Sequence, residues 1–326
     1  MNQRPTISIV LEGFNETRER GTADNTLEAL RRQDFPLGEV ELILVGTAEQ
    51  SEEWASLCHD PRPFRAVKVL AAEGANYYMM KNRGAAMATG EIIAFTDSDV
   101  VPAPTWISCI VSNIRGGADV SVGVSLFQDA NAWTARSIFR QMAVSCTFGY
   151  ILGPWTGDGI EVRGFMDHNV ALRAEIFGQK QYRDEFGRVI ASPLLFRELK
   201  LQGLRIRLAH EQSVVHHFGW PYWLRKLHFR YGFEVYRLRR LDPHYPNQWI
   251  SKTGPLEPLV TTAWHMMLDV PRWFRFCRVR KISQPVSWLC LPVLVTLSGI
   301  ARTTEAAGMY ATMIWPEPMA RWAGSV

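Results

Sequence analysis

The chain has 326 residues and 47% hydrophobic content, enough for one large core or two modest ones, which excludes a disordered or low-complexity protein. Its net charge of +4 hides an asymmetry: residues 217–326 hold 14 Lys/Arg against 6 Asp/Glu, and eight of the twelve Trp fall there too. Five widely spaced cysteines exclude a disulfide framework and a zinc site and suit a reducing compartment.

Short β-rich runs alternate with helical patterns through the first half. Ile7–Leu11 predicts a strand and Thr26–Gln33 a helix; Glu41–Val45 and Ala66–Leu70 predict strands, followed by helices at Glu52–Leu57 and Tyr77–Ala88. The order continues with a strand at Ile92–Phe95, a helix at Thr105–Asn113 and a strand at Val120–Leu126. This alternation predicts an α/β fold with a mainly parallel sheet flanked by helices, in which ligands collect at the carboxyl ends of the strands. Ile7–Leu11 is too short for a signal-peptide core, so this part is expected to be cytoplasmic.

A helix at Pro193–Gln202 and strands at Arg205–Leu208 and Ser213–His216 end the sheet. Beyond it, Trp223–Leu241 and Leu256–Lys281 have helical, amphipathic spacing. Ile282–Ala301 is uncharged for 20 residues but contains Gln284, Pro285 and Pro292, which favours interfacial or re-entrant helices. A two-span hairpin using Ala306–Trp315 is the alternative. The chain divides into a domain over 1–220 and a helical, basic, Trp-rich, membrane-associated region over 221–326. Arg and Trp interleaved with long apolar runs, and no accompanying nucleic-acid motif, point to a membrane surface and not to nucleic acid.

The most informative stretch is Lys81–Trp106, KNRGAAMATGEIIAFTDSDVVPAPTW. Gly90 is expected to close a helix in the left-handed conformation, and Ile92–Phe95, apolar on both faces, reads as a buried parallel strand. Asp97 and Asp99, two apart, point the same way from an extended strand end, and Pro102 and Pro104 stop the strand. Two hard carboxylates at the mouth of a sheet can hold Mg²⁺ or Mn²⁺, which neutralises a diphosphate.

The whole segment resembles the core signature of glycosyltransferase family 2, in which a Lys-Asn-x-Gly helix, an apolar strand and a D-x-D with trailing Pro and Trp follow in this order. Val10-Leu11-Glu12-Gly13-Phe14-Asn15-Glu16 resembles the family's first strand and Tyr-Asn-Glu turn. Asn169-Val170-Ala171-Leu172-Arg173 resembles its Asn-x-x-x-Arg element, and Gly203–Ile206 with Val214-Val215-His216 its final strands. The resemblance covers about residues 5–240 and implies a GT-A-like fold. It also implies a nucleotide-diphosphate-sugar donor bound by Asn15, Glu16, Lys81, Asn82, Asp97 and Asn169, with metal ligands Asp97 and Asp99 completed by His216.

Four places depart from the family pattern. Where an Asp pair normally reads base and ribose, this chain has Gly46 and Thr47; Glu12 replaces a Pro at the neighbouring strand end and is expected to take over that contact. An inverting transfer needs a carboxylate to accept the acceptor's proton. Ala191 and Ser192 occupy the positions of the family's Glu-Asp pair, which leaves Asp167, Asp184, Glu185 and Glu198 as candidates. Leu227-His228-Phe229-Arg230-Tyr231 replaces the Gln-x-x-Arg-Trp of processive synthases.

The resemblance thus implies an inverting glycosyltransferase that moves one sugar to a lipid-linked or glycan acceptor at the cytoplasmic membrane face. The alternative is a catalytically silent relative that binds nucleotide sugar or glycan, or scaffolds a membrane assembly.

Overall fold

A computed structural model describes residues 5–14, 23–127, 134–156, 159–186, 190–216 and 219–325. Asn15 and Glu16, expected in the donor site, lie outside the described residues. The first half runs β1 (Ile7–Glu12), α1 (Ala23–Arg31), β2 (Val40–Gly46), α2 (Ala48–His59), β3 (Ala66–Ala71), α3 (Tyr77–Ala86), β4 (Ile92–Asp97), β5 (Val100–Pro102), α4 (Trp106–Arg115) and β6 (Val120–Phe127). After α5 (Ala135–Phe148) come β7 (Leu152–Thr156), β8 (Gly159–Val162), β9 (Val170–Arg173), α6 (Ala174–Gln179), α7 (Ala191–Leu201) and β10 (Ile206–His216). The chain then becomes helical: α8 (Phe229–Leu241), α9 (Glu257–Val279), α10 (Gln284–Leu289), α11 (Leu291–Ile314) and α12 (Pro316–Ser325).

Eight strands form one sheet in the order β3-β2-β1-β4-β9-β6-β10-β5. Its first four strands are parallel, as the alternating pattern predicts, and every residue of β1, β2 and β4 is buried because helices cover both faces. The continuation is antiparallel at β4–β9, β9–β6 and β10–β5.

Two local features differ from the sequence reading. The helix α3 ends at Ala86, and Gly90 is needed for a close approach, not for a left-handed cap: a Cβ there would lie 2.6 Å from the Ser8 backbone nitrogen. The two short strands expected around 205–216 are one strand, because Gln212, polar but buried, is satisfied by Ser121 and Asn169 inside the sheet and does not interrupt it.

The residues group into two compact units, one of 1–126, 156–187 and 191–217, the other of 127–155, 188–190 and 218–326. The second unit therefore takes in more than the region after 220. The helix α5 belongs to it, in contact with α9 and α11 and with Met142, Val144, Cys146 and Phe148 all buried. Within that unit α8 and α11 meet backbone to backbone at Gly232 and Gly308, where any Cβ would collide with the carbonyl oxygens of Glu305 and Phe229. Ile282–Ala301 forms α10 and the first part of α11. Among the described residues no helix is long and apolar enough to cross a membrane.

Candidate active site

The site is assembled at the carboxyl ends of the parallel strands. β1 and β4 run in register so that Glu12 and Asp97, each the last residue of its strand, stand side by side and buried. α3 lies close against β1 and β2 because Gly84 has no side chain: a Cβ would meet Val10 Cγ1 at 2.6 Å and Val45 Cγ2 at 2.8 Å. That proximity carries Lys81, one turn earlier, to Asp97, where Nζ donates to Oδ1 at 2.6 Å. Tyr77, four residues before Lys81, donates its hydroxyl to Asp97 at 2.9 and 3.1 Å.

Electrostatics divides the two carboxyls. Burial, reinforced by the neighbouring Asp97, pushes Glu12 well above the usual carboxylate range, which favours its neutral form, and its Oε1 has no hydrogen-bond partner. Its other oxygen accepts the backbone N–H of Phe14 at 2.6 Å. Burial acts on Asp97 in the same direction, but the Lys81 ammonium outweighs it and holds Asp97 ionised, far below its ordinary value. Burial likewise opposes the charge of Lys81, and Asp97 more than restores it.

Asp99 is in the opposite condition. It is buried, yet neither of its oxygens has a hydrogen-bond partner in the protein. The turn that carries it is held by Thr26, whose hydroxyl lies 2.9 Å from the Ser98 carbonyl and 2.6 Å from that of Val100. Antiparallel pairing of His216 with Val100 brings His216 Nε2 to 3.6 Å from Asp99 Oδ2. A buried carboxylate that accepts no hydrogen bond is costly unless something with positive charge sits beside it. One carboxylate and one imidazole suit a divalent ion that takes its remaining ligands from water and a diphosphate. Among the described residues no group of three or more His, Cys, Asp or Glu is arranged to hold a metal ion. Asp97 differs, since both its oxygens are taken by Lys81 and Tyr77.

His168 and Tyr78 join the cluster, and neither was singled out from the sequence. His168 Nε2 is 2.7 Å from Ser125 Oγ, its Nδ1 lies 3.7 Å from Asp167 Oδ1 and 4.0 Å from Asp97 Oδ2, and its ring is 5.4 Å from that of His216. Burial lowers its pKa, leaving it neutral. Tyr78 donates to Asp167 Oδ2 at 2.7 Å. Of the four acids considered as the base, Asp167 alone is placed in this cluster, and it remains partly exposed. The one available signal was the spacing of Tyr77, Tyr78 and Lys81, which puts them on adjoining helix faces.

The other candidates are engaged elsewhere. Asn82 donates to the Tyr182 carbonyl at 2.8 Å and to Asp184 Oδ2 at 3.2 Å, stitching α3 to the 182–184 segment. Glu185 pairs with Arg183 on the surface and Glu198 with Lys180. Asn169 is buried, with Oδ1 accepting from Trp106 and Gln212 and Nδ2 donating to the Gln212 carbonyl. Thr47 caps α2 in a reciprocal box with Gln50, and Gln50 also donates to the Gly13 carbonyl at 3.0 Å. An Asp at Gly46 has no room, because a Cβ there would meet Gln50 and, at 2.8 Å, the Trp54 ring. Ser192, where the family places an acid, donates to the Phe165 carbonyl at 3.4 Å and so lies against the segment that carries Asp167.

Comparison with known proteins now bears on these residues together. The family model described as Glycosyl transferase family 2 matches residues 8–177, a span running from β1 through Asp97, Asp99 and Asp167 into α6. The chain belongs to glycosyl transferase family 2. Its similarity to individual members is remote: 26% identity over 40% of this chain to glycosyltransferase AglE of Haloferax volcanii. It is 24% identical, over 55% of its length, to the glucosyl-dolichyl phosphate glucuronosyltransferase of the same organism. The chain spans 43% and 60% of these two relatives. Among solved structures it resembles the mannosyltransferase PcManGT of Pyrobaculum calidifontis, in complex with GDP-Man and Mn²⁺, with a TM-score of 0.57 at 14% identity, covering 97% of this chain and 89% of that one. That likeness establishes a GT-A-like fold.

Proposed function

We propose that this protein transfers a sugar from a nucleotide-diphosphate donor to a lipid-linked or glycan acceptor, with inversion, at the cytoplasmic face of a membrane. The observation that carries the reading is Asp99, a buried carboxylate with two open oxygens beside His216 at the carboxyl edge of a family 2 sheet. A divalent ion, Mn²⁺ or Mg²⁺, held by Asp99 and His216 would offset the charge of the departing diphosphate. Asp97, kept ionised by Lys81 and Tyr77, faces the ribose or diphosphate, and the neutral Glu12 beside it offers its carboxyl to the nucleoside in place of the family's Asp pair.

Inversion requires one displacement with a base on the acceptor side. Asp167 suits this role: Tyr78 engages Oδ2, Oδ1 lies 3.7 Å from His168 Nδ1, and the partly exposed carboxylate would accept the acceptor hydroxyl's proton. The acceptor class is supported by a relative whose name includes dolichyl phosphate, and the cytoplasmic side by five cysteines that are all free.

Thermal-shift screening of nucleotide sugars with Mn²⁺, followed by transfer assays, tests the reading. Asp99→Ala is expected to abolish the Mn²⁺-dependent stabilisation. Asp167→Asn is expected to keep donor binding and lower transfer by roughly 10²–10⁴-fold. Undiminished transfer in Asp167→Asn would remove it as the base, and donor binding without turnover in the wild type would favour the silent-relative alternative.

A further inference from the structure

In the C-terminal unit two long helices reverse the usual placement of charge: beside apolar residues such as Trp273, Phe276, Leu294 and Met309 they bury their ionised groups, and they expose apolar side chains. α9 and α11 face each other through their charges: Arg302 donates to Asp269 twice at 2.8 Å and to Glu305 at 2.7 Å, Arg272 reaches Asp269 at 3.1 Å, and His265 lies 2.9 Å from Glu305. Asp269, Arg302 and Glu305 are buried. The outer sides hold what a soluble helix normally hides. On α9 the exposed stripe is Leu259, Ala263, Met267 and Pro271, spaced by four, and Arg278 in the last turn is the one exposed charged residue of that helix. On α11 no exposed residue is charged, and Val293, Ile300, Ala307 and Ile314 repeat every seven residues down one side.

The reversal is confined to this unit. Of fourteen large apolar residues exposed among the described ones, thirteen belong to it, the exception being Leu201. α11, at 24 residues, is about 36 Å long, and an uncharged strip of that length in water marks an interaction surface. Its ends carry Trp288 and Leu289, 60% and 78% exposed, on α10, and Trp315 beyond Ile314, 59% exposed. Beside the α10 end lie the basic residues Arg278, Arg280 and Lys281. Trp next to Arg and Lys at the rim of an apolar strip complements an anionic headgroup layer, while no described helix is apolar enough to cross a membrane.

We infer that the outer faces of α9 and α11, with α10 between them, form a docking surface for an anionic lipid bilayer and enter it only to the headgroup–acyl boundary. This deepens the membrane placement proposed above and is independent of the transfer chemistry.

Flotation of the full chain with phosphatidylcholine vesicles, with and without phosphatidylglycerol, tests it. The wild type is expected to float with the anionic vesicles. Met267→Glu/Ile300→Glu is expected to lower that binding at least tenfold, and Lys281→Glu to lower it severalfold and flatten its salt dependence, while Leu201→Glu leaves it unchanged. Circular dichroism of each variant confirms the fold. Binding unaltered in the double variant, an equal loss in Leu201→Glu, or a discrete oligomer that the double variant dissociates would overturn the inference, the last by assigning the surface to a second copy. Mn²⁺-dependent nucleotide binding in the same samples separates the two proposals, since its absence would sink the transfer reading alone.

Discussion

Lys81 reaches Asp97 at 2.6 Å with its ammonium fully buried and the carboxylate 3% exposed, so the donor-side edge of the sheet is organised around an ion pair shielded from water. Removing the cation strands a charge; removing the neutral neighbour does not. Lys81→Met is therefore expected to destabilise the protein by about 3–5 kcal/mol, whereas Glu12→Gln, an isostere of an uncharged acid, costs less than about 1.5 kcal/mol. Urea denaturation of both variants provides the comparison, and similar losses would mean that Glu12 is ionised after all.

Asp99 reverses the usual relation between a site residue and stability. Neither oxygen accepts a hydrogen bond within the protein, and His216 Nε2 comes no nearer than 3.6 Å, so the carboxylate gains little from the chain in the metal-free state. Asp99→Asn should melt no lower than the wild type, by differential scanning calorimetry in chelator, and should gain nothing from Mn²⁺. A lower Tm in chelator would show that the carboxylate is satisfied within the chain.

His228 supplies a pH dependence of known sign. Burial, with Arg302 adding to it, pushes its imidazole down to about 3 from 6.5. The folded protein stays unprotonated there while the unfolded chain takes up a proton below pH 6.5, so stability is lost as pH falls from 6.5 towards 3 and is unaffected above. The slope for this one group is about 1.4 kcal/mol per pH unit. Denaturation of His228→Leu and wild type at pH 7.5, 6 and 5 should show their difference drifting by about that amount per unit between pH 6 and 5. Parallel curves would exclude the assignment.

Gly308→Ala probes the contact between α8 and α11. The added methyl collides with the Phe229 carbonyl oxygen, a backbone atom that cannot swing aside. The expected loss is about 1–3 kcal/mol by chemical denaturation, and a neutral outcome would mean that the helices can part freely at this point.

The parallel half of the sheet is legible because its strands are apolar on both faces and bounded by turn residues, as Ile92–Phe95 shows. Asp99 is legible too, since it follows directly from where β4 stops. What the sequence conceals comes from distant pairings. Arg302 and Glu305 look like the interruption of a helix, yet α11 runs through them because Asp269, more than thirty residues earlier, pairs with Arg302, which in turn pairs with Glu305, while His265 lies against Glu305. Asp167 and His168 adjoin in sequence, but nothing local indicates that Tyr78 and Ser125 meet them. Gly90 suggested a cap because a glycine's reason, backbone freedom or a neighbour's closeness, is invisible until the neighbour is placed.

Gln212 and His216 lie four residues apart on β10, hence on one face of the strand. Gln212 is pinned to Asn169 and Ser121 in the interior, and His216 stands beside Asp99. A slip of one residue would turn both side chains to the opposite face. The buried amide therefore acts as an indexing pin: the alignment that satisfies it is also the alignment that delivers an imidazole to the open carboxylate, so ligand geometry at Asp99 is set by carpentry done several residues away.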